Sequence, residues 1–397
     1  MRIGFAFKIA VISLAILIAV IASELVARLT ITQPENLAKL KSSSFFLYEN
    51  KPNAIFSTYG KGEFENEISI NSFGFRDDEF SKEKMANVYR IAVLGDSQEE
   101  ALQVPLADTW QKVMAQKLSQ ELRRNVETYN FGISGYGTDQ EWLTLREKVW
   151  QFLPDMVVLA FSPNDVGDTY KNKLIRLEDD RLKVVSAKER AGGNILGKLI
   201  RQTYLYHLIL KASSRSGLAK GIVDKIRTKI LGFPKDERFF LSDAQLVQGP
   251  FEVIASQKNP PNEVLETWKV VLALISDMKR QTDLHQAKFL ITINIPGDQV
   301  KESNWKLLQE QYKLDPNSSS PYEINEKMAE IAKDVGVDFY DPREDAISWR
   351  EKTGELHLPK DGHFNKNGHL FMGTKVAEFI LDNELLPFGK AVVDSGD

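Results

Sequence analysis

The pattern of apolar and polar positions divides the chain into three unequal stretches. The first is an apolar run, Ile9–Ser23 (IAVISLAILIAVIAS), with Arg2 and Lys8 before it and Glu24 and Arg28 after it. With its apolar neighbours it approaches the roughly 20 residues that cross a bilayer as a helix. No polar stripe interrupts it, which argues against a core helix of a soluble domain. Two readings fit the basic flank: an uncleaved signal anchor, which we favour, and a secretory signal peptide cleaved near Ala22. Either one carries the rest of the chain out of the cytoplasm.

The second stretch, residues 31–87, is mixed and polar, with turn signals at Lys51-Pro52-Asn53 and Gly60-Lys61-Gly62. Within it Ile68–Arg76 alternates like a strand leading into a turn. This predicts a linker and a small decoration.

From Val88 the rhythm becomes strand, turn, helix. Short apolar runs at Val88–Leu94, Val126–Phe131, Asp155–Phe161, Ala287–Ile295 and Val335–Tyr340 predict five strands. Helical periodicity over Asp108–Leu122, Thr138–Phe152, Glu263–His285, Tyr322–Lys333 and Lys366–Leu381 fills the spaces between and after them. Near-continuous apolar strands alternating with amphipathic helices imply a parallel sheet covered on both faces. An insertion, 166–262, separates the third strand from the fourth and reads as a helical cap. Its segment 198–230 carries eight Lys/Arg against a single acid, Asp224. Such a segment makes a solvated basic face or a surface for anionic headgroups beside the anchor. The predicted organisation is an anchor (1–30), a linker with decoration (31–87), an α/β domain (88–387) and a tail (388–397).

Composition narrows the chemistry. The 397 residues contain no cysteine, which excludes disulfides, thiolate metal sites and a cysteine nucleophile. The net charge of −4 argues against a nucleic-acid partner. Outside the membrane it becomes −6, because residues 1–30 hold three basic residues and one acid. Only five histidines are present: His207, His285, His357, His363 and His369. No clustered histidines or H-E-x-x-H motif suggest a metal, and no cofactor is expected. Gly192–Leu199 falls short of a P-loop, and no G-x-S-x-G elbow occurs.

Ligands of an open α/β sheet bind beyond the carboxyl ends of its strands. The loops placed there are Gly95-Asp96-Ser97, Asn130–Gly137 (NFGISGYG), Ser162-Pro163-Asn164-Asp165 and Asp361-Gly362-His363. A serine, a glycine-rich turn, an asparagine and an Asp/His pair thus converge on one rim. Acyl transfer needs those parts: a hydroxyl nucleophile, an imidazole base, a carboxylate behind it and donors for an oxyanion. Asp96 and Asp165 read as loop-orienting groups, and His369 as a packing or capping residue of the last helix.

These four blocks, in this order, resemble the SGNH (GDSL-type) hydrolases over residues 88–382 apart from the insertion. The resemblance implies a flavodoxin-like, doubly wound, five-stranded parallel sheet of order 2-1-3-4-5. It implies Ser97 as nucleophile and first oxyanion donor, Gly135 and Asn164 as the other donors, and His363 as base held by Asp361. The anchor and Ile70–Arg76 resemble membrane-anchored bacterial members. Two departures stand out. Asp361 and His363 are two apart, where the family commonly has three, and Pro163 replaces a glycine. The implied activity is a serine esterase or deacylase without metal or cofactor, acting outside the cytoplasm on an acyl, for instance acetyl, ester of a cell-surface glycan or lipid. The alternatives are an O-acyltransferase using the same serine and a non-catalytic glycan-binding or assembly protein on that scaffold.

Overall fold

The fold was read from a computed structural model that describes residues 2–30, 39–43, 45–60, 62–179, 181–185, 200, 203–213 and 250–386. The chain divides into two compact units, Met1–Leu40 with Lys188–Glu237, and Lys41–Ala187 with Arg238–Asp397.

In the first unit, helix Arg2–Thr30 contains a 24-residue span, Phe7–Thr30, of mean hydropathy 2.7. It is long and apolar enough to cross a membrane, and its apolar side chains are exposed rather than packed in a core. Its end meets helix Tyr204–Ser213 of the insertion. The Glu24 carboxylate accepts from the N–H groups of Tyr204 and Leu205, both at 3.0 Å, and so caps that helix. The Arg28 guanidinium lies 5.0 Å from the centre of the Tyr204 ring. Most of the basic segment 198–230 lies outside the described residues, as do the tail 388–397 and the His207 side chain.

The second unit is built on five parallel strands: β1 (Val88–Leu94), β2 (Asn125–Asn130), β3 (Met156–Phe161), β4 (Lys288–Ile293) and β5 (Asp338–Tyr340). Their order is β5-β4-β3-β1-β2, the doubly wound arrangement, with Leu94 beside Leu159 and Phe161 beside Ile293 in register. All six residues of β3 are buried, as are six of the seven in β1, because helices cover both faces. Helices Trp110–Leu122 and Lys366–Asp382 pack together, and Thr138–Thr144, Asn262–Leu284 and Glu323–Val335 form a second group. The chain winds outward from β1 to β2 on one side and from β3 to β5 on the other. The crevice therefore falls past the ends of β1 and β3, where Asp96-Ser97 and Ser162–Asn164 emerge.

The region expected as linker and decoration is bound into the same core, to which it adds Phe46, Phe75 and Phe80. Strand pairing there is confined to short hairpins such as Ile55–Gly60 with Phe64–Ser69. Beyond Ser69 the expected strand gives way to a turn, because the Asn71 side chain accepts from the N–H groups of Phe73 (3.1 Å) and Phe75 (3.0 Å). The turn drives Phe75 against Phe131, ring centres 4.9 Å apart. It also delivers Arg76 to the carbonyls of Glu100 (2.9 Å) and Val104 (2.5 Å), just after the Ser97 turn. Helices Glu302–Tyr312 and Arg343–Thr353 and the hairpin Ile175–Glu178/Arg181–Val184 complete the unit.

Candidate active site

Strand β1 ends in a tight turn into the one-turn helix Ser97–Glu100. Asp96, not Ser97, caps that turn: its carboxylate accepts from Gln98 N–H at 3.0 Å, and Glu99 returns a bond to Asp96 N–H at 3.0 Å. Ser97 is thereby left with its hydroxyl unclaimed by the cap. Gly95 is required for space, since a Cβ there would stand 2.1 Å from the Glu99 carboxylate. Glu100 staples the glycine-rich loop alongside, accepting from Ser134 N–H (2.9 Å) and Asn50 (2.8 Å).

The imidazole expected as base arrives from the far end of the chain. His363 Nε2 lies 2.8 Å from Ser97 Oγ, and its Nδ1 lies 2.5 Å from Asp361 Oδ1. The short Asp361–His363 spacing works because Gly362 adopts φ +92°, a left-handed conformation that folds the two side chains to the same side. The turn is closed by Leu358 N–H to His363 O and Gly362 N–H to Leu358 O, both 2.9 Å. Two residues that the sequence reading missed support it. The Glu63 carboxylate accepts from the N–H groups of Lys360 (3.0 Å) and Asp361 (2.9 Å), and Gln103 donates to Asp361 Oδ1 at 3.3 Å. Neither lies in a motif, and Glu63 reaches the turn across nearly 300 residues of sequence, so no local signal marks them.

The expected oxyanion donors divide. Among the described residues, no partner occupies the N–H of Ser97 or of Gly135. Gly135 holds φ +78°, and a Cβ on it would press to 2.8 Å from the Tyr48 hydroxyl, which itself donates to Ser134 O at 2.9 Å. Asn164 differs. Its Nδ2 donates to Asp96 (2.9 Å) and to Asp168 (3.0 Å), so its amide ties the Asp96 turn to helix Asp165–Asn172.

The other histidines whose side chains are described are engaged elsewhere. His369 is buried in the last helix with Nδ1 3.3 Å from Trp110 N–H, and burial pushes its pKa down to about 3. His357 bonds Ile295 O at 2.7 Å, and burial pushes its pKa down to about 4. His285 stacks on Trp150 with ring centres 3.9 Å apart.

Behind the site lies a layer of buried carboxyls. Burial and the Asp96 charge push Glu99 up to about 8, although Trp110 and Asn294 donate to it. Glu141 and Asp165 are fully buried, and burial followed by neighbouring carboxylates raises both well above the ordinary range. Among the described residues neither Glu141 oxygen has a partner, whereas Asp165 accepts from Ser162 N–H at 2.7 Å.

A carboxyl raised in this way keeps a proton that the unfolded chain has already released above about pH 4.5. Its contribution to stability therefore falls as pH rises toward the folded-state pKa, at a limiting slope of about 1.4 kcal/mol per pH unit. Glu141→Gln, which removes the titrating proton at nearly constant shape, is expected to flatten the loss of stability between about pH 5 and 8 by up to that slope. Urea unfolding at both pH values measures it; equal slopes in variant and wild type would show that Glu141 is not held protonated.

No family model and no curated protein matches this chain. Solved structures similar to it include an acetyl xylan esterase at 14% identity, spanning 73% of this chain and 99% of that one with a TM-score of 0.38. A psychrotrophic esterase from Pseudoalteromonas sp. is similar at 12% identity, over 75% and 99% of the two chains, with a TM-score of 0.37. An acetylxylan esterase from Geobacillus stearothermophilus is similar at 10% identity, over 76% and 96%, with a TM-score of 0.40.

Proposed function

We propose that the chain is a serine esterase of the SGNH type, tethered by its N-terminal helix and acting outside the cytoplasm on an acylated glycan. The observation that carries this reading is the unbroken relay Ser97 Oγ–His363–Asp361, set beside two unoccupied N–H donors. Ser97 Oγ attacks the ester carbonyl while His363 Nε2 takes its proton. Asp361 holds Nδ1–H and stabilises the imidazolium. The N–H groups of Ser97 and Gly135 meet the oxyanion, and Asn164 joins them by exchanging one of its carboxylate partners for it. His363 then protonates the leaving alcohol, and water releases the acyl group by the reverse relay.

Full-length protein in detergent, incubated with p-nitrophenyl acetate and separately with a fluorophosphonate, tests the reading. Release of nitrophenol and stoichiometric labelling at Ser97 are expected. Absence of both would remove the enzyme reading and favour a binding protein on this scaffold.

A further inference from the structure

A cavity of about 310 Å³ lies against the candidate site, with Asn164 and Gln98, the neighbour of Ser97, in its lining. That volume is at the small end of ligand pockets, enough for one sugar ring. Its walls differ in chemistry. Trp305 and Tyr312, from helix Glu302–Tyr312, stand with Val253 and Leu314 in a separate apolar cluster. Glu252 and Asp298 supply carboxyls to the same cavity. Each carboxyl accepts from its own main-chain N–H, and among the described residues neither has an ion-pair partner within 4.0 Å or a hydrogen-bonding side chain; Lys171, the cation acting on Glu252, is bonded to Asp168 at 3.2 Å. Burial raises both groups above the ordinary carboxyl range. The amide oxygens of Asn294 and Gln299, two further lining residues, have no partner among the described residues. Their orientation is set by their NH2 groups, which donate to Ser162 (2.9 Å) and to Asn325 and Pro321 O (both 2.7 Å).

The side of the cavity formed by Glu252, Asp298, Asn294 and Gln299 offers acceptors, and a ligand that brings hydroxyls meets them. An alkyl chain would leave the carboxyls with no partner beyond their own main-chain N–H, and an anion would be repelled by them. A carboxyl can also meet a hydroxyl in either protonation state, so a formal cation is not required.

We propose that this cavity is the subsite for a neutral, hydroxyl-bearing ring of monosaccharide size on the alcohol side of the ester. Glu252 and Asp298 accept from its hydroxyls, and Trp305 and Tyr312 cover its C–H face. The proposal rests on the esterase reading for its place beside Ser97 and deepens it by naming the residues that select the substrate.

The test compares kcat/KM of the full-length protein in detergent on a monoacetylated methyl glucoside, p-nitrophenyl acetate and p-nitrophenyl octanoate. Wild type is expected to favour the sugar ester over the octanoate. Glu252→Gln and Asp298→Asn should each lower the ratio of sugar ester to p-nitrophenyl acetate about tenfold, mostly through KM. Ligand-observed NMR of the unacylated methyl glucoside with Ser97→Ala gives a readout independent of turnover. Its binding should disappear when Glu252→Gln and Asp298→Asn are added. An octanoate preference that both substitutions leave unchanged would make the cavity an acyl pocket. Binding of glucosamine about a hundredfold tighter than of the glucoside would make it a cation site; either result overturns the proposal. Silence toward every ester with intact glucoside binding would remove the esterase reading and keep the subsite, and loss of glucoside binding alone would do the reverse.

Discussion

Ser97→Ala is expected to lower ester hydrolysis by about 10⁵-fold, equivalent to about 7 kcal/mol of transition-state stabilisation, and to abolish fluorophosphonate labelling. The magnitude follows from the unit character of such a relay: without Oγ, neither the base nor its carboxylate has anything to activate. The residual rate comes from the N–H donors and from substrate binding. The fold should be undisturbed, because Asp96 caps the turn and the one hydrogen bond shown for the Ser97 hydroxyl is the 2.8 Å contact with His363. Thermal unfolding of the variant, run beside kcat/KM on p-nitrophenyl acetate, separates a lost nucleophile from a lost fold. Labelling that survives in Ser97→Ala would move the nucleophile to another residue.

Asp361→Asn is expected to cost about 10³-fold in kcat with little change in KM. The carboxylate accepts from His363 Nδ1 at 2.5 Å, which leaves Nε2 as the acceptor facing Ser97. An asparagine can offer an N–H at that position instead. The imidazole then carries its proton on Nε2, the nitrogen that has to receive the serine proton. The geometry is held independently by the Gly362 turn and by Glu63 on the main-chain N–H groups, so the substitution changes the tautomer more than the position. A loss below tenfold would mean that a different group orients His363.

The legible part of this protein was that governed by local pattern. Apolar runs recur with strand and helix periods wherever an element must bury a face, so five strands and most long helices between them stand in the sequence to within a few residues. The exceptions are Val335, which ends a helix instead of opening the fifth strand, Thr138–Phe152, which is α-helical only to Thr144, and the unmarked helices Glu302–Tyr312 and Arg343–Thr353. Their alternation implies a doubly wound sheet, and the crevice rule then points to the loops carrying Ser97, Asn130–Gly137, Asn164 and His363 before any contact is known. The apolar Phe7–Thr30 span is legible for the same reason.

Backbone conformation at the turns and contacts between distant segments were decided only in the tertiary structure. Asp361 reaches His363 through a left-handed glycine, a backbone state that a count of residues does not reveal. Asn164 gives its amide to Asp96, 68 residues away in sequence, as well as to Asp168 in the helix that it opens. The local pattern does not mark Glu99, Glu141 and Asp165 as buried, and burial together with neighbouring carboxylate charges changes their chemistry. Phe75 and Arg76 turn an expected decoration into a support of the Ser97 turn. Hydrophobic periodicity reports which face of an element is buried, whereas a site depends on which elements share that burial.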